Sequence, residues 1–383
     1  MKKCAFVASL AVAAVAIGAQ PAAAQFGGVT GALNKAVTIK KIADVKVTDA
    51  EERQIGQQVS DKMVEVFGVY QDANVTKYVT LVGAVMALQS PRPGLDWQFV
   101  VLDTEGVNAF AAPGGFIHIT KGLLGLMKTE SELAGVLAHE IIHVTEKHTV
   151  NAIQKGGLVQ VGTDEIGSAG MAGSLLSKLA DAAYSNVLNN KFSRNDEVEA
   201  DEKGVQLANK VGYAPTGLAG ALMKLTDRNK DAKEPNGLFA SHPMMKDRLA
   251  NLDKTIRDKK LTATATVEAR YAKNITFDAK PAAALATVAE GSRGLAGGSD
   301  EKKPAEGEKP ATAETKEEPK KSGGLLGKFK PSSGSQAQQS QTVASAGARG
   351  VNPDRDAVGG PNKKRVPVKI GPGDIAEFQK GIA

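Results

Sequence analysis

The feature that most narrows what this chain can become is a pair of histidines four residues apart with a glutamate between them, His139-Glu140-Ile141-Ile142-His143. On an α-helix, positions i and i+4 share one face with Cβ atoms about 6 Å apart, so both imidazoles can aim at one point. The local sequence calls for a helix here. Thr129-Glu130-Ser131-Glu132 is a capping box, in which a hydroxyl and a carboxylate satisfy free N–H groups at a helix start. Leu133, Val136, Leu137 and Ile141 then follow at helical spacing, and we expect the helix to run to about His148. Two imidazoles on one face can bind a zinc ion at about 2 Å through ring nitrogens. Glu140, next to the first of them, can hydrogen-bond a water that the ion polarises.

Two ligands leave such a site unfinished, because a catalytic zinc needs a third protein ligand and keeps a fourth position for water. The position six residues after His143 is Thr149, and His148 falls on a different helix face, so His148 is read as a structural partner and His118 as a strand residue. The better candidate is Glu197, in Ser193-Arg194-Asn195-Asp196-Glu197-Val198-Glu199-Ala200-Asp201. If that stretch is helical, Glu197 and Asp201 share a face. Glu197 can then bind the metal while Asp201 accepts the second N–H of a liganding histidine and sets its tautomer. An acidic helical run alone is ordinarily a solvated face; beside His139 and His143 it becomes the leading ligand.

Around this motif the pattern is mostly helical. Helices are expected from Thr48, where Thr48 or Asp49 can cap, then over Asn74–Gln89, Asn195–Val211, Pro215–Arg228 and Pro243–Lys260. Strands are expected at Trp97–Leu102, Asn108–Ala112 and Phe116–Thr120, with a closing strand over Val267–Phe277. A small sheet beside a helical body gives an α+β domain in which helix predominates. The segment 156–185 is rich in Gly, Ala and Ser, which weakens helices, and is expected to be mobile or a loose helical hairpin. It lies between the two ligand-bearing helices, so we expect it to cover the cleft as a lid.

The ends of the chain differ in character. Lys2-Lys3, the apolar run to Ala19 and the small residues Ala22-Ala23-Ala24 read as a secretory signal peptide over residues 1–24. That implies export, to the periplasm in a bacterium. Cys4 is the only cysteine and lies within this signal, so the mature chain forms no internal disulfide. No later stretch has the ~20 apolar residues of a membrane helix. One folded domain is expected over 25–280. Lys, Glu, Pro, Ala, Ser and Gln then dominate a linker over 281–345 that cannot form a core. The segment 346–383 regains apolar residues, with a short strand at Val366–Ile370 and a helix at Asp374–Gly381 that can dock on something, such as a partner of the tail. The formal charge of +6 is spread through mixed-sign stretches with no basic, aromatic-interleaved stripe, so nucleic acid is not an expected partner.

Four blocks in order resemble the M48 peptidases, most closely their exported bacterial members: Asn108-Ala109-Phe110-Ala111-Ala112-Pro113-Gly114-Gly115, the motif at 139–143 followed by His148, Glu197-x-x-Ala200-Asp201, and Ser241-His242-Pro243 with Arg248 beyond. The resemblance covers roughly Thr48 to Leu252. It implies a zincin (gluzincin-like) fold with one Zn2+ per chain held by His139, His143 and Glu197, Glu140 as general base and Asp201 behind the ligands. It implies that Asn108, Ala109, Phe110 and Ala111 form a sheet edge along which an extended substrate pairs. It also places His242 and Arg248 near the metal, where they stabilise the oxyanion, or where His242 occupies the open metal position in a resting state. The expected reaction is endopeptide hydrolysis of unfolded or misassembled envelope or outer-membrane proteins. A rival from another class is an envelope assembly factor or chaperone whose peptidase activity is secondary. A purely structural zinc site would be closed by four protein ligands and would leave Glu140 without a purpose.

Overall fold

Thr48 opens the first helix: its hydroxyl accepts the Glu51 N–H while the Glu51 carboxylate takes the Thr48 N–H. The helix, α1 (Asp49–Phe67), buries Ile55, Val59 and Met63. Asp72 caps α2 (Ala73–Gln89) by accepting from the Asn74 and Val75 N–H groups, and Val75, Tyr78, Val79 and Val82 form its buried side. The structure is a computed structural model that describes residues 47–156, 166–167, 170–171, 173–189, 192–228, 245–280 and 361–382. The expected signal peptide and linker, most of the expected lid before residue 173, and His242 lie outside the described residues.

Three strands form the main sheet. β1 (Gln98–Leu102) runs parallel to β3 (Phe116–Thr120), with Gln98 opposite Phe116. β2 (Ala109–Ala112) runs antiparallel to β3, with Phe110 opposite His118. The order β1-β3-β2 makes β2 an edge strand. Alternation along each strand sorts the side chains to two faces. Phe99, Val101, Ala109, Ala111, Ile117 and Ile119 join the main core. Val100, Leu102, Phe110, Ala112 and Phe116 point the other way, into two smaller apolar clusters. The β2–β3 turn uses Gly114 at φ 71°, where a Cβ would lie 2.6 Å from Arg53 Cα.

After α3 (Lys121–Leu126) comes the central helix, α4 (Glu130–Thr145), with Thr129 and Glu132 making the expected capping box. Every residue of α4 is buried. It ends earlier than its apolar pattern suggests: Lys147 takes a left-handed φ of 57°, and a new helix, α5 (His148–Gly156), begins beyond it. Two two-residue strands, β4 (Ile166–Gly167) and β5 (Gly170–Met171), precede α6 (Gly173–Asn189). Leu175, Leu176 and Leu179 of α6 pack with Ile55, Val59, Ala112 and Phe116 on the far face of the sheet. The part of the Gly/Ala/Ser segment that is described is thus mainly one helix, with a single glycine at its first position.

Ser193 caps α7 (Arg194–Val211), and Gly212 ends it in the left-handed region at φ 115°. α8 (Gly217–Arg228) packs on α4, and α9 (Met245–Asp258) packs on α7 and α8. Gly204 sets the α4–α7 approach, since a Cβ there would lie 3.1 Å from the His139 backbone nitrogen. That closeness is what carries the acidic face of α7 to the histidines.

Two elements differ from expectation. Val267–Phe277 is not a closing strand: it contains the short helix α10 (Glu268–Asn274). The alternating apolar residues misled, because Tyr271 and Ile275 are also four apart. The helical turn drives Tyr271 into the core and sends Arg270 to the buried carboxylate of Glu130, which also accepts from Tyr78 Oη (2.9 Å) and Tyr213 Oη (2.7 Å). The C-terminal segment, in turn, docks on this chain itself. It is extended rather than a strand over 362–371 and then forms α11 (Pro372–Lys380). Asn362 O accepts the Val69 N–H at 2.7 Å, Arg365 reaches Ser60 Oγ and Asp61 Oδ1, and Phe378 packs on Tyr78. Ile382, 2% exposed, enters the main core, a burial worth about 1.5–3 kcal/mol. Among the described residues no helix is long and apolar enough to cross a membrane.

Candidate metal centre

His139 and His143 stand one turn apart on α4 with their Nε2 atoms 3.0 Å from each other. Glu197, on the first turn of α7, brings Oε1 to 3.6 Å from His143 Nε2 and Oε2 to 3.8 Å from His139 Nε2. All three residues are at most 3% exposed. The donor set suits zinc in type, two imidazoles and a carboxylate. It also suits zinc in size, since tetrahedral ligands with bonds of about 2.0–2.1 Å stand roughly 3.3 Å apart. Among the described residues this is the one group of three metal-type side chains whose ligand atoms converge within 4.8 Å.

What lies behind each histidine decides which nitrogen faces the shared point. Asp201 Oδ1 is 3.0 Å from His139 Nδ1, so the proton sits on Nδ1 and the Nε2 lone pair faces inward. Arg248 in turn donates from Nε and Nη2 to the two Asp201 oxygens at 2.8 and 2.7 Å. Burial by itself would push the Asp201 carboxyl up. The Arg248 charge and hydrogen bonds, with His139, outweigh it and hold Asp201 below the usual carboxylate range. Behind His143 the partner is different: His148 Nδ1 lies 2.9 Å from His143 Nδ1, and His148 Nε2 lies 3.2 Å from Glu199 Oε2. Phe192 stacks on the His143 ring with centroids 4.2 Å apart.

Glu140 is buried beside His139 at 1% exposure. Arg248 places Nη1 3.6 Å from Glu197 Oε2, and that nitrogen has no hydrogen-bond partner among the described residues. Its principal contact, the two-pronged grip on Asp201, was not foreseen. Nor was the stacking of Phe192, for which the sequence offers no signal. Asn108, Ala109, Phe110 and Ala111 lie on and beside the edge strand. Ala111 and Ala112 share a cleft with His143 and Val144, so the strand's end meets α4.

A protein-family model described as peptidase family M48 matches residues 73–256. Among characterised proteins, the chain is 31% identical over 235 residues to a protease HtpX homolog of Desulfatibacillum aliphaticivorans, covering 50% of this chain and 74% of that one. It is 28% identical to the metalloprotease LoiP of Escherichia coli K12, covering 54% of this chain and 81% of that one. It is 27% identical to the beta-barrel assembly-enhancing protease of Yersinia pestis, covering 51% of this chain and 42% of that relative, so the chain spans less than half of that longer protein.

Proposed function

The chain belongs to peptidase family M48, and from that premise we propose that it is a zinc-dependent endopeptidase with His139, His143 and Glu197 as the metal ligands. The observation that carries this reading is the convergence of three buried donors, with each histidine's outer nitrogen engaged from behind. A zinc ion there supplies a Lewis acid that acidifies water and polarises a carbonyl. Glu140 is the general base: it accepts a proton from the water as that water adds to the scissile carbonyl carbon. It then delivers the proton to the leaving nitrogen as the C–N bond breaks. Arg248 holds Asp201, which orients His139, and its unbonded Nη1 is the atom available to a developing oxyanion. His242 is proposed as a second such group. The β2 edge, from Asn108 to Ala111, suits an extended peptide that adds as a further strand.

The substrate class we infer is unfolded or misassembled protein of the bacterial envelope. The N-terminal sequence of signal-peptide type and the relative named for enhancing β-barrel assembly support it. That same name favours a second reading, in which binding to assembling clients matters more than cutting them.

The test uses zinc content and peptide cleavage on the same samples. Glu140→Gln should keep zinc and lose cleavage by several orders of magnitude, while His143→Ala and Glu197→Ala should lose both. Equal cleavage by wild type and Glu140→Gln would overturn the assignment. Full rescue of a deletion strain by Glu140→Gln would favour the client-binding reading.

A further inference from the structure

We propose that His148 is the positioning residue for His143: its Nδ1 accepts the His143 Nδ1 proton and so fixes the tautomer that turns the His143 Nε2 lone pair toward the metal, with Glu199 anchoring His148 in turn. This rests on the metal reading above, and no residue other than those assigned there is asked to bind the ion.

The break in α4 makes the contact. In one continuous helix, residues five apart point about 140° away from each other, so His148 would face away from His143. Instead α4 stops at Thr145, Lys147 turns left-handed, and α5 starts afresh at His148. The turn is tied down by Lys147 Nζ, which lies 3.0 Å from Asp49 Oδ1 and 2.9 Å from the fully buried Glu52. The two imidazoles then meet edge to face, with centroids 4.9 Å apart and planes at 77°.

The protons can be assigned by elimination. Two ring nitrogens 2.9 Å apart share one proton. His143 Nε2 faces His139 Nε2 at 3.0 Å and Glu197 at 3.6 Å, the side where a metal ligand needs its lone pair. The His143 proton is therefore on Nδ1, and it donates. His148 Nδ1 must accept, which puts the His148 proton on Nε2, where the Glu199 carboxylate lies at 3.2 Å. Lys203 closes the chain by pairing with Glu199 at 2.7 Å and with Glu146, at the end of α4, at 2.9 Å.

The test measures zinc affinity of the full chain by competition with a chromogenic chelator, beside thermal unfolding of the zinc-free proteins. His148→Leu fills the space without an acceptor and should weaken zinc binding about 10–100-fold. His148→Asn offers Oδ1 near the place of Nδ1 and should recover most of that loss. Unfolding of the zinc-free proteins should stay close to wild type. Wild-type affinity in His148→Leu would overturn the proposal, and so would equal losses in the Leu and Asn variants, which would mark a packing role. If His148→Leu fails to fold, His148→Asn and Glu199→Gln decide: affinity near wild type in the first with a several-fold loss in the second supports the relay, and a full loss in His148→Asn overturns it. A wild-type chain that binds no zinc would instead sink the metal reading itself.

Discussion

One helix presents two histidines to the same point, yet their backs are held in opposite ways. His139 leans on Asp201 and Arg248, a charged pair buried to 1% and 3% exposure. His143 leans on another imidazole, His148, whose own anchor Glu199 is 41% exposed at its side chain. The first arrangement is part of the core. The second, on the reading proposed above, is a relay that runs from His143 out to solvent. The difference teaches that one donor set can be built with unequal dependence on the fold: the His139 side should govern stability, the His143 side chiefly metal affinity.

The sharpest way to break that contrast is Arg248→Ala. It leaves the Asp201 carboxylate buried without its cation, a change of about 3–5 kcal/mol in comparable buried pairs. Chemical denaturation of the zinc-free protein should show a loss of that order. Glu199→Gln should leave the same curve almost unmoved. Equal losses would mean that both sides are part of the core and that the distinction is false.

How much of this was readable beforehand follows from the range of the interactions. The motif helix, the helix start at Thr48 or Asp49, the capping box at Thr129, and the spacing of Glu197 and Asp201 are local patterns with periods of three to four residues, and the structure has the helices in those places. The sheet was legible for the same reason, since Phe99 and Val101 alternate with Val100 and Leu102 onto two apolar clusters. What escaped were departures from a local rule. No glycine marks the left-handed turn at Lys147, so α4 was read straight through to His148. Glycine density upstream hid α6. The grip of Arg248 on Asp201 and the docking of 361–382 on α1 and α2 span tens to hundreds of residues, and no period of the sequence encodes them.

A third buried histidine sharpens the comparison through pH. His118 faces neither a carboxylate nor an imidazole but Ser60 Oγ at 2.7 Å, with Arg365 on the same hydroxyl. Burial, then the Arg365 charge, lowers its pKa to about 3. The unfolded chain takes up this proton near pH 6.5, while the folded chain does not until about 3. Stability therefore falls as pH drops below about 6.5, by up to about 1.4 kcal/mol per unit, and levels off below the folded value. His118→Asn should flatten that limb in the zinc-free protein, read as unfolding midpoint against pH. An unchanged limb would place the acid sensitivity elsewhere.

The smallest expected effect tests the outer end of the relay. Lys203 pairs with Glu199 and Glu146 from a side chain that is 41% exposed. Exposed pairs contribute about 0–1 kcal/mol and are screened by salt, so Lys203→Ala should shift the unfolding midpoint very little. Its effect should appear instead in zinc affinity, as a loss of a few-fold at most, because Glu199 would keep its carboxylate but lose the cation that steadies it. That loss should shrink as salt is raised, whereas the loss caused by Arg248→Ala, deep in the core, should not. If Lys203→Ala cost as much stability as Arg248→Ala, or if its effect ignored salt, the relay would not run to solvent and the two backs of the site would be alike after all.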